Sequence, residues 1–365
     1  MKSRERILAA LLGKRTDRAP YTSGMGMWGS TMERWRAESG FKDLDIQKYF
    51  EFDEGISYTA DWVMRLGIDP WFDEEIIEIR EHSIVRRAGN GVVREELKSG
   101  YGETVPNYLD YPVKGWDSWK KLKEERLNPE SPPRIPENIR ELAEKFNSGN
   151  YFLALGGYPY GLFGTCRELM GVEGLLVSFI EAPGLIADMM SHLTDLWLSV
   201  YEKAVKYIKF DMVHIWEDMS GKQGSLISPN MIKEFMLPNY KRISEFCKDS
   251  GIEILSVDTD GKVDELAPLF MSAGVNFIYP FEVAAGSDIL EFRKEYPELA
   301  IMGGIDKREI AKSKKEIDRQ IGIIDEMLNY GRYIPAVDHL VHPEVSWENF
   351  CYFNKCLKEV THKSR

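Results

Sequence analysis

The stretch IEILSVDTDGKVDELAPLFMSAGVNFIYPFE, residues 252–282, decides how the chain folds. It opens with an apolar run that ends in VDTDG (257–261), continues with the helical spacing of VDELAPLFMSAG (263–274), and closes with a second apolar run, VNFIYPFE (275–282). Strand, helix and strand in that order imply two parallel strands joined by a helical crossover. The same unit recurs on both sides. Further apolar runs stand at YFLALGG (151–157), DMVHIWED (211–218), LAIMGGID (299–306) and YIPAVDH (333–339), and amphipathic stretches occupy 229–251, 288–297 and 314–331.

With the early candidates APYTSG (19–24) and ISYTADWV (56–63), the runs come to about eight, the number in a closed (β/α)8 barrel of TIM type. A doubly wound open sheet is the rival fold. It is disfavoured because no strand leads into a GxGxxG turn and because polar residues recur at many strand ends instead of one switch point. The expectation is an α/β chain folded as one barrel domain over 1–365, with an N-terminal helical segment in MKSRERILAALLGKRTDR (1–18). Residues 76–105 alternate apolar and polar around the GNG turn (89–91), which predicts a β-hairpin excursion from the barrel. RLNPESPPRIP (126–136) is a proline-rich connection leading into a helix.

The chain has 365 residues, 43% of them hydrophobic, enough for a large core. A net charge of −12 without a long Lys/Arg run argues against nucleic acid as a partner and favours small substrates or another protein. No apolar stretch approaches the roughly 20 residues of a bilayer span, and the start reads as an amphipathic helix instead of a signal peptide, so a soluble cytoplasmic protein is expected. Its oligomeric state is left open, a homodimer included. Cys166, Cys247, Cys351 and Cys356 make no disulfide framework and read as reduced, structural thiols.

Catalytic groups of such a barrel come from the C-terminal ends of its strands. Those ends offer Tyr158, Glu217 with Asp218, Asp258 with Asp260, Glu282, Asp306, and Asp338 with His339. Carboxylates gathered around a histidine raise one another's pKa unless a cation neutralises them, so a divalent metal such as zinc is the simplest explanation. Taken singly, each aspartate also reads as a helix N-cap or turn residue, as Asp260 does before Gly261, and His339 as a core histidine. Glu217 reads equally as a solvated charge or as part of a site wrapped by the GKQG loop (221–224). The GMGMWG segment (24–29) offers Met25, Met27 and Trp28 as an apolar wall for a flat or methylated ligand, or as core. The remaining histidines, His82, His192, His214, His342 and His362, show no spacing that compels a ligand role, although His342 is near enough to His339 to stand as an outside candidate.

RERILAALLGKRTDRAP (4–20), LISPNMIKEFMLPNYKRI (226–243), GGID (303–306) and DHLVHPEVSWENF (338–350) together resemble the uroporphyrinogen decarboxylase superfamily, which includes zinc-dependent methyltransferases that work with corrinoid proteins. The resemblance covers nearly the whole chain and implies the same (β/α)8 barrel. The decarboxylases follow their first strand with an arginine-rich loop that holds porphyrinogen carboxylates. Here GMGMWGSTMERW (24–35) brings no arginine before Arg34. The decarboxylases' essential aspartate has only a loose counterpart in Asp61.

The methyltransferase branch holds zinc with a His-x-Cys and a later Cys. Laying DTDG on the first motif and HLVHPEVSWEN on the last segment puts Asp258, Asp260 and His339 at the ligand positions. Such oxygen and nitrogen ligands make a harder Lewis acid than thiolates do, suited to polarising the leaving oxygen of a methyl ether. The resemblance therefore implies a methyltransferase that moves a methyl group from a small O-methylated compound, ahead of an N-methylated one, to cobalamin on a partner protein. Glu217 and Asp306 are its expected catalytic groups, and Met25, Met27, Trp28, Tyr158 and Glu282 its expected substrate contacts. The alternative is a decarboxylase acting on a porphyrinogen or another carboxylate. A corrinoid carrier is a third class, without a cobalt-ligating Asp-x-His-x-x-Gly motif in this sequence.

Overall fold

The computed structural model of the chain describes residues 1–58, 64–98, 105–131 and 134–363. Seven parallel strands lie side by side in chain order: β1 Ile56–Tyr58, β2 Phe152–Gly156, β3 Met212–Trp216, β4 Ile254–Asp258, β5 Phe277–Phe281, β6 Ala300–Ile305 and β7 Tyr333–Val337. Every apolar run from 151 onward is thus a strand, and helices such as Pro183–Ala204, Leu237–Asp249 and Lys314–Tyr330 form the crossovers. Only the start of ISYTADWV is seen, as β1; Asp61 lies outside the described residues.

The other early candidate, APYTSG, is not a strand. The Tyr21 N–H donates to the Asp53 carboxylate at 2.9 Å and the Asp53 N–H to the Tyr21 carbonyl at 2.7 Å, which ties this segment to the approach of β1. On its other side Gly24 lies so close to β7 that a Cβ there would meet the Ala336 Cβ at 2.8 Å. Pro20 has no N–H to give a ladder, and Gly24 and Gly26, at φ 62° and 92°, turn the backbone out of the β region. The segment fills the space between β7 and β1, and the regular ladder among the described residues stops at seven strands.

Side chains alternate across each strand with period two. Phe152, Ala154, Met212, Ile254, Tyr279, Met302, Ile334 and Ala336 form the inner cluster, and helix Ser3–Leu11 adds Ile7 and Leu11 to it. Leu153, Leu155, Val213, Ile215, Leu255 and Val257 belong to the larger cluster shared with the surrounding helices. The expected hairpin is the middle of a larger unit, a four-stranded antiparallel sheet of Glu75–Ile79, Ser83–Arg87, Val93–Leu97 and Asn107–Asp110. Among the described residues no single helix is long and apolar enough to cross a membrane.

Buried among the carboxylates that hold the N-terminal helix is Asp53. Asp53, 4% exposed, accepts from Arg6 at 2.6 Å, from Arg18 at 2.7 and 2.8 Å, and from the Tyr21 N–H. Asp53→Ala is expected to lower the unfolding free energy by about 3–5 kcal/mol, the usual effect of stripping one partner from a buried charge pair. Urea unfolding followed by circular dichroism measures it, and a loss below about 1 kcal/mol would mean that the cluster behaves like a solvated surface pair.

Candidate active site

A cavity of about 490 Å³ runs inside the curl of the sheet, from Tyr158 and Asp258 at the strand ends down to Ile7. Ile56, Tyr279, Met302 and Ile334 form much of its wall, Thr22–Met25 closes one side, and among the described residues no lysine or arginine lines it. Such a volume, apolar with a few polar groups, suits a small molecule.

The polar end belongs to β3 and β4. Their register sets His214 opposite Ser256 and Trp216 opposite Asp258. His214, 2% exposed, lies with Nδ1 2.7 Å from the Ser256 hydroxyl and Nε2 3.7 Å from Asp258 Oδ2, and its ring stacks on Tyr279 at 4.8 Å. Both His214 and Asp258 line the cavity.

Asp258, Asp260 and His339, the trio expected to bind zinc, divide between two pairs. Asp258 faces His214, while Asp260 Oδ1 is 3.4 Å from His339 Nε2. Among the described residues no group of three His, Cys, Asp or Glu side chains is placed to hold a metal ion, so this donor set does not fit zinc. The cation in the acidic cluster is a lysine. Lys307, 7% exposed, places Nζ 3.3 Å from Glu282 and 3.4 Å from Asp338, and its N–H donates to Asp338 at 3.2 Å. Glu282 also accepts from the Gly261 N–H at 3.0 Å. Burial, followed by the negative charges of Asp218, Asp258 and Glu282, pushes Asp260 up to about 7, with Lys307 only partly offsetting them. Burial and then Lys307 lower His339.

Two expected catalytic acids have structural work instead. Glu217 is fully buried behind the cavity wall at the start of helix Leu162–Met170. It accepts from the N–H groups of Leu162, Phe163 and Gly164 at 3.2, 2.6 and 3.3 Å and from the Tyr240 hydroxyl at 2.6 Å. Burial pushes its carboxyl up to about 7 while those donors pull it down. The helix start approaches β3 so closely that a Cβ on Gly161 would sit 1.7 Å from the Trp216 carbonyl, which leaves room only for glycine. Asp306 caps helix Lys307–Ile310 through the Arg308 N–H and pairs with the Arg308 guanidinium at 2.7 Å.

Of the expected substrate contacts, Met25 and Tyr158 line the cavity, and Tyr158 stands 62% exposed at its rim, edge-on to Trp216. Met27 bridges to Val341, Trp28 lies edge-on to His342 at 6.3 Å, and Glu282 pairs with Lys307, so these three do not line it. Sequence reading missed His214, Ser256, Tyr279 and Lys307. The alternation that turns Asp258 inward would have found Ser256, two residues before it. It does not lead to Tyr279 from the strand end, because the ladder shifts between Ile278 and Phe281 and Phe281 packs on the helix side.

Because Asp260 keeps its proton to about 7 in the fold but loses it near 4 in the unfolded chain, the unfolded state binds fewer protons between those values, and stability falls as pH rises through that window. Asp260→Asn, neutral throughout, is expected to match the wild type in melting temperature near pH 4 and to exceed it near pH 8. A difference that stays constant across the range would contradict the shift.

The family model for "Uroporphyrinogen decarboxylase (URO-D)" matches residues 93–360. Among solved structures the chain is similar to a methyltransferase from Methanosarcina mazei, with 14% sequence identity and a TM-score of 0.58 over 98% of this chain and 99% of that one. At that identity the likeness is one of fold. No curated protein matches by sequence. The family match spans well over half of the chain, from the four-stranded sheet through β7 to the last helix, and the chain belongs to the uroporphyrinogen decarboxylase family.

Proposed function

We propose that the chain is a cytoplasmic enzyme that takes a methyl group from a small methylated molecule, an O-methyl compound first, and passes it to a reduced corrinoid carried by a partner protein. The observation that carries this reading is the lining of the cavity: apolar and aromatic walls, a few polar groups, and among the described residues no lysine or arginine. A porphyrinogen with its ring of carboxylates needs arginine or lysine to hold it. A methyl ether needs an apolar seat for its body and one polar corner for its oxygen.

Tyr279 and Met302 press on the body of the donor, and His214 with Asp258 receives its heteroatom at the end of β3 and β4. The methyl group then points toward the rim at Tyr158, where a partner's corrinoid, as co-substrate, has to arrive. The name of the Methanosarcina mazei neighbour agrees with this reading. A Lewis acid held by Asp258, Asp260 and His339 has no part in it, because those side chains form two separate pairs.

The test combines purified protein with cob(I)alamin and a panel of anisole, guaiacol, methanol and trimethylamine, following methylcobalamin absorbance, with uroporphyrinogen III as a separate substrate analysed by chromatography. Methyl transfer from at least one ether, with uroporphyrinogen unchanged, is the expected result. No methylcobalamin from any donor, together with loss of carboxylates from uroporphyrinogen, would move the chain to the decarboxylases.

A further inference from the structure

A second cavity, of about 500 Å³, lies at the other end of the barrel from the mouth, where helices Ser3–Leu11 and Lys314–Tyr330 end and β7 begins. Four cations line it, Lys14, Arg15, Arg18 and Arg332, and among the described residues no aspartate or glutamate does. The chain as a whole carries a net charge of −12, so a concave wall of purely positive sign stands out from its surface. A recess lined by one sign of charge gathers counter-ions.

Structural duties account for part of this charge. Arg18 is held at 2.7 and 2.8 Å by Asp53, a carboxylate it shares with Arg6. Arg332 donates to the Leu11 carbonyl at 3.2 Å, as a cation does at a helix end, and pairs at 3.4 Å with Glu298, which is 78% exposed. Lys14 meets Glu253 at 3.3 Å, but both side chains are more than half exposed, and such a pair is weak. Asp17, the single acid of the 13–18 turn, faces Arg6 instead. The Arg15 guanidinium and the Thr16 hydroxyl have no hydrogen-bond or ion-pair partner among the described residues.

We infer that this recess binds a small molecule bearing phosphate. Arg18 and Arg332 are fixed in place and keep N–H donors beyond the bonds they already make, which suits them to phosphate oxygens. Arg15 and Lys14 add charge from the turn, and Thr16 adds a hydroxyl. Ala10, Pro20 and Leu328 give the same recess an apolar side for an organic body. A concave volume of that size favours a small molecule over the face of an acidic protein. Among the described residues no lysine or arginine lines the first cavity, so the two take ligands of different charge, and this inference does not rest on the methyl-transfer reading.

Isothermal titration of the full chain at low salt tests this, with pyrophosphate as a probe without an organic body, ADP as one with a body, and citrate as a carboxylate of similar charge. Saturable binding of ADP or pyrophosphate is expected, weakened by about 10-fold or more in Arg15→Glu and weakened also by added sodium chloride. Arg15 is exposed and without a partner, so the variant is expected to melt with the wild type when no ligand is present. Only the rise in melting temperature that the phosphate probe induces is expected to shrink. No binding of either phosphate at millimolar concentration would overturn the inference. Equal affinity in the wild type and Arg15→Glu would overturn it too, by placing the phosphate elsewhere on the chain. Citrate bound while both phosphates are refused would overturn the assignment of phosphate as the ligand's anionic group.

Discussion

The site depends on one register, the pairing of β3 with β4 that sets His214 opposite Ser256 and Trp216 opposite Asp258. With a side-chain period of two, a slip by one residue would swing His214, Ser256 and Asp258 out toward the helices and bring Val213, Leu255 and Val257 into the cavity. Those three valines and leucines belong to the large cluster shared with the helices, so the hydrophobic effect acts against the slip at every position. Gly156 of β2 adds a local constraint, because a Cβ there would come within 2.2 Å of the His214 carbonyl. Core packing and the placement of the polar groups are therefore one constraint, and stability of the sheet is what sets the geometry of the site.

Charge at the mouth is managed from within the chain. The paired aspartates of DTDG sit beside each other, yet they do different things: Asp258 turns into the cavity toward His214, and Asp260 pairs with His339. Lys307 sits between Glu282 and Asp338 and supplies positive charge that the carboxylates would otherwise draw from an ion. Burial first, and then the carboxylate charges that Lys307 does not fully offset, hold the Asp260 proton up to about 7. Behind the wall, Glu217 uses the N-terminal N–H groups of helix Leu162–Met170 in place of a cation, an arrangement helix ends favour for any anion.

Much of the fold was legible because strand and helix periods are written locally. IEILSVDTDG and its sister runs all became parallel strands in chain order, and Asp258 pointed where a period of two required. The period stops at the strand end, however, and so did the reading. Glu217, one residue beyond β3, and Asp306, one beyond β6, follow the backbone into helix starts, where a carboxylate caps as readily as it catalyses. His214 was overlooked for the opposite reason. A single histidine in an apolar run gives no spacing signal, and its partner Ser256 lies 42 residues away in sequence, joined only by the register. Lys307 was hidden likewise, since its two carboxylates come from β5 and β7, whose ends meet only when the sheet curls.

The central claim is that the working corner of the cavity is His214 with Asp258, and that Asp258, Asp260 and His339 are not one ligand set. A crystal structure of the protein grown with guaiacol and zinc chloride, with data collected at the zinc absorption edge, tests it most directly. The account predicts guaiacol in the cavity with an oxygen within hydrogen-bonding reach of His214 Nε2, and no anomalous peak joining the three side chains. A zinc ion bound by Asp258, Asp260 and His339 together, with guaiacol directed to it, would contradict the account and restore a Lewis acid to the reaction.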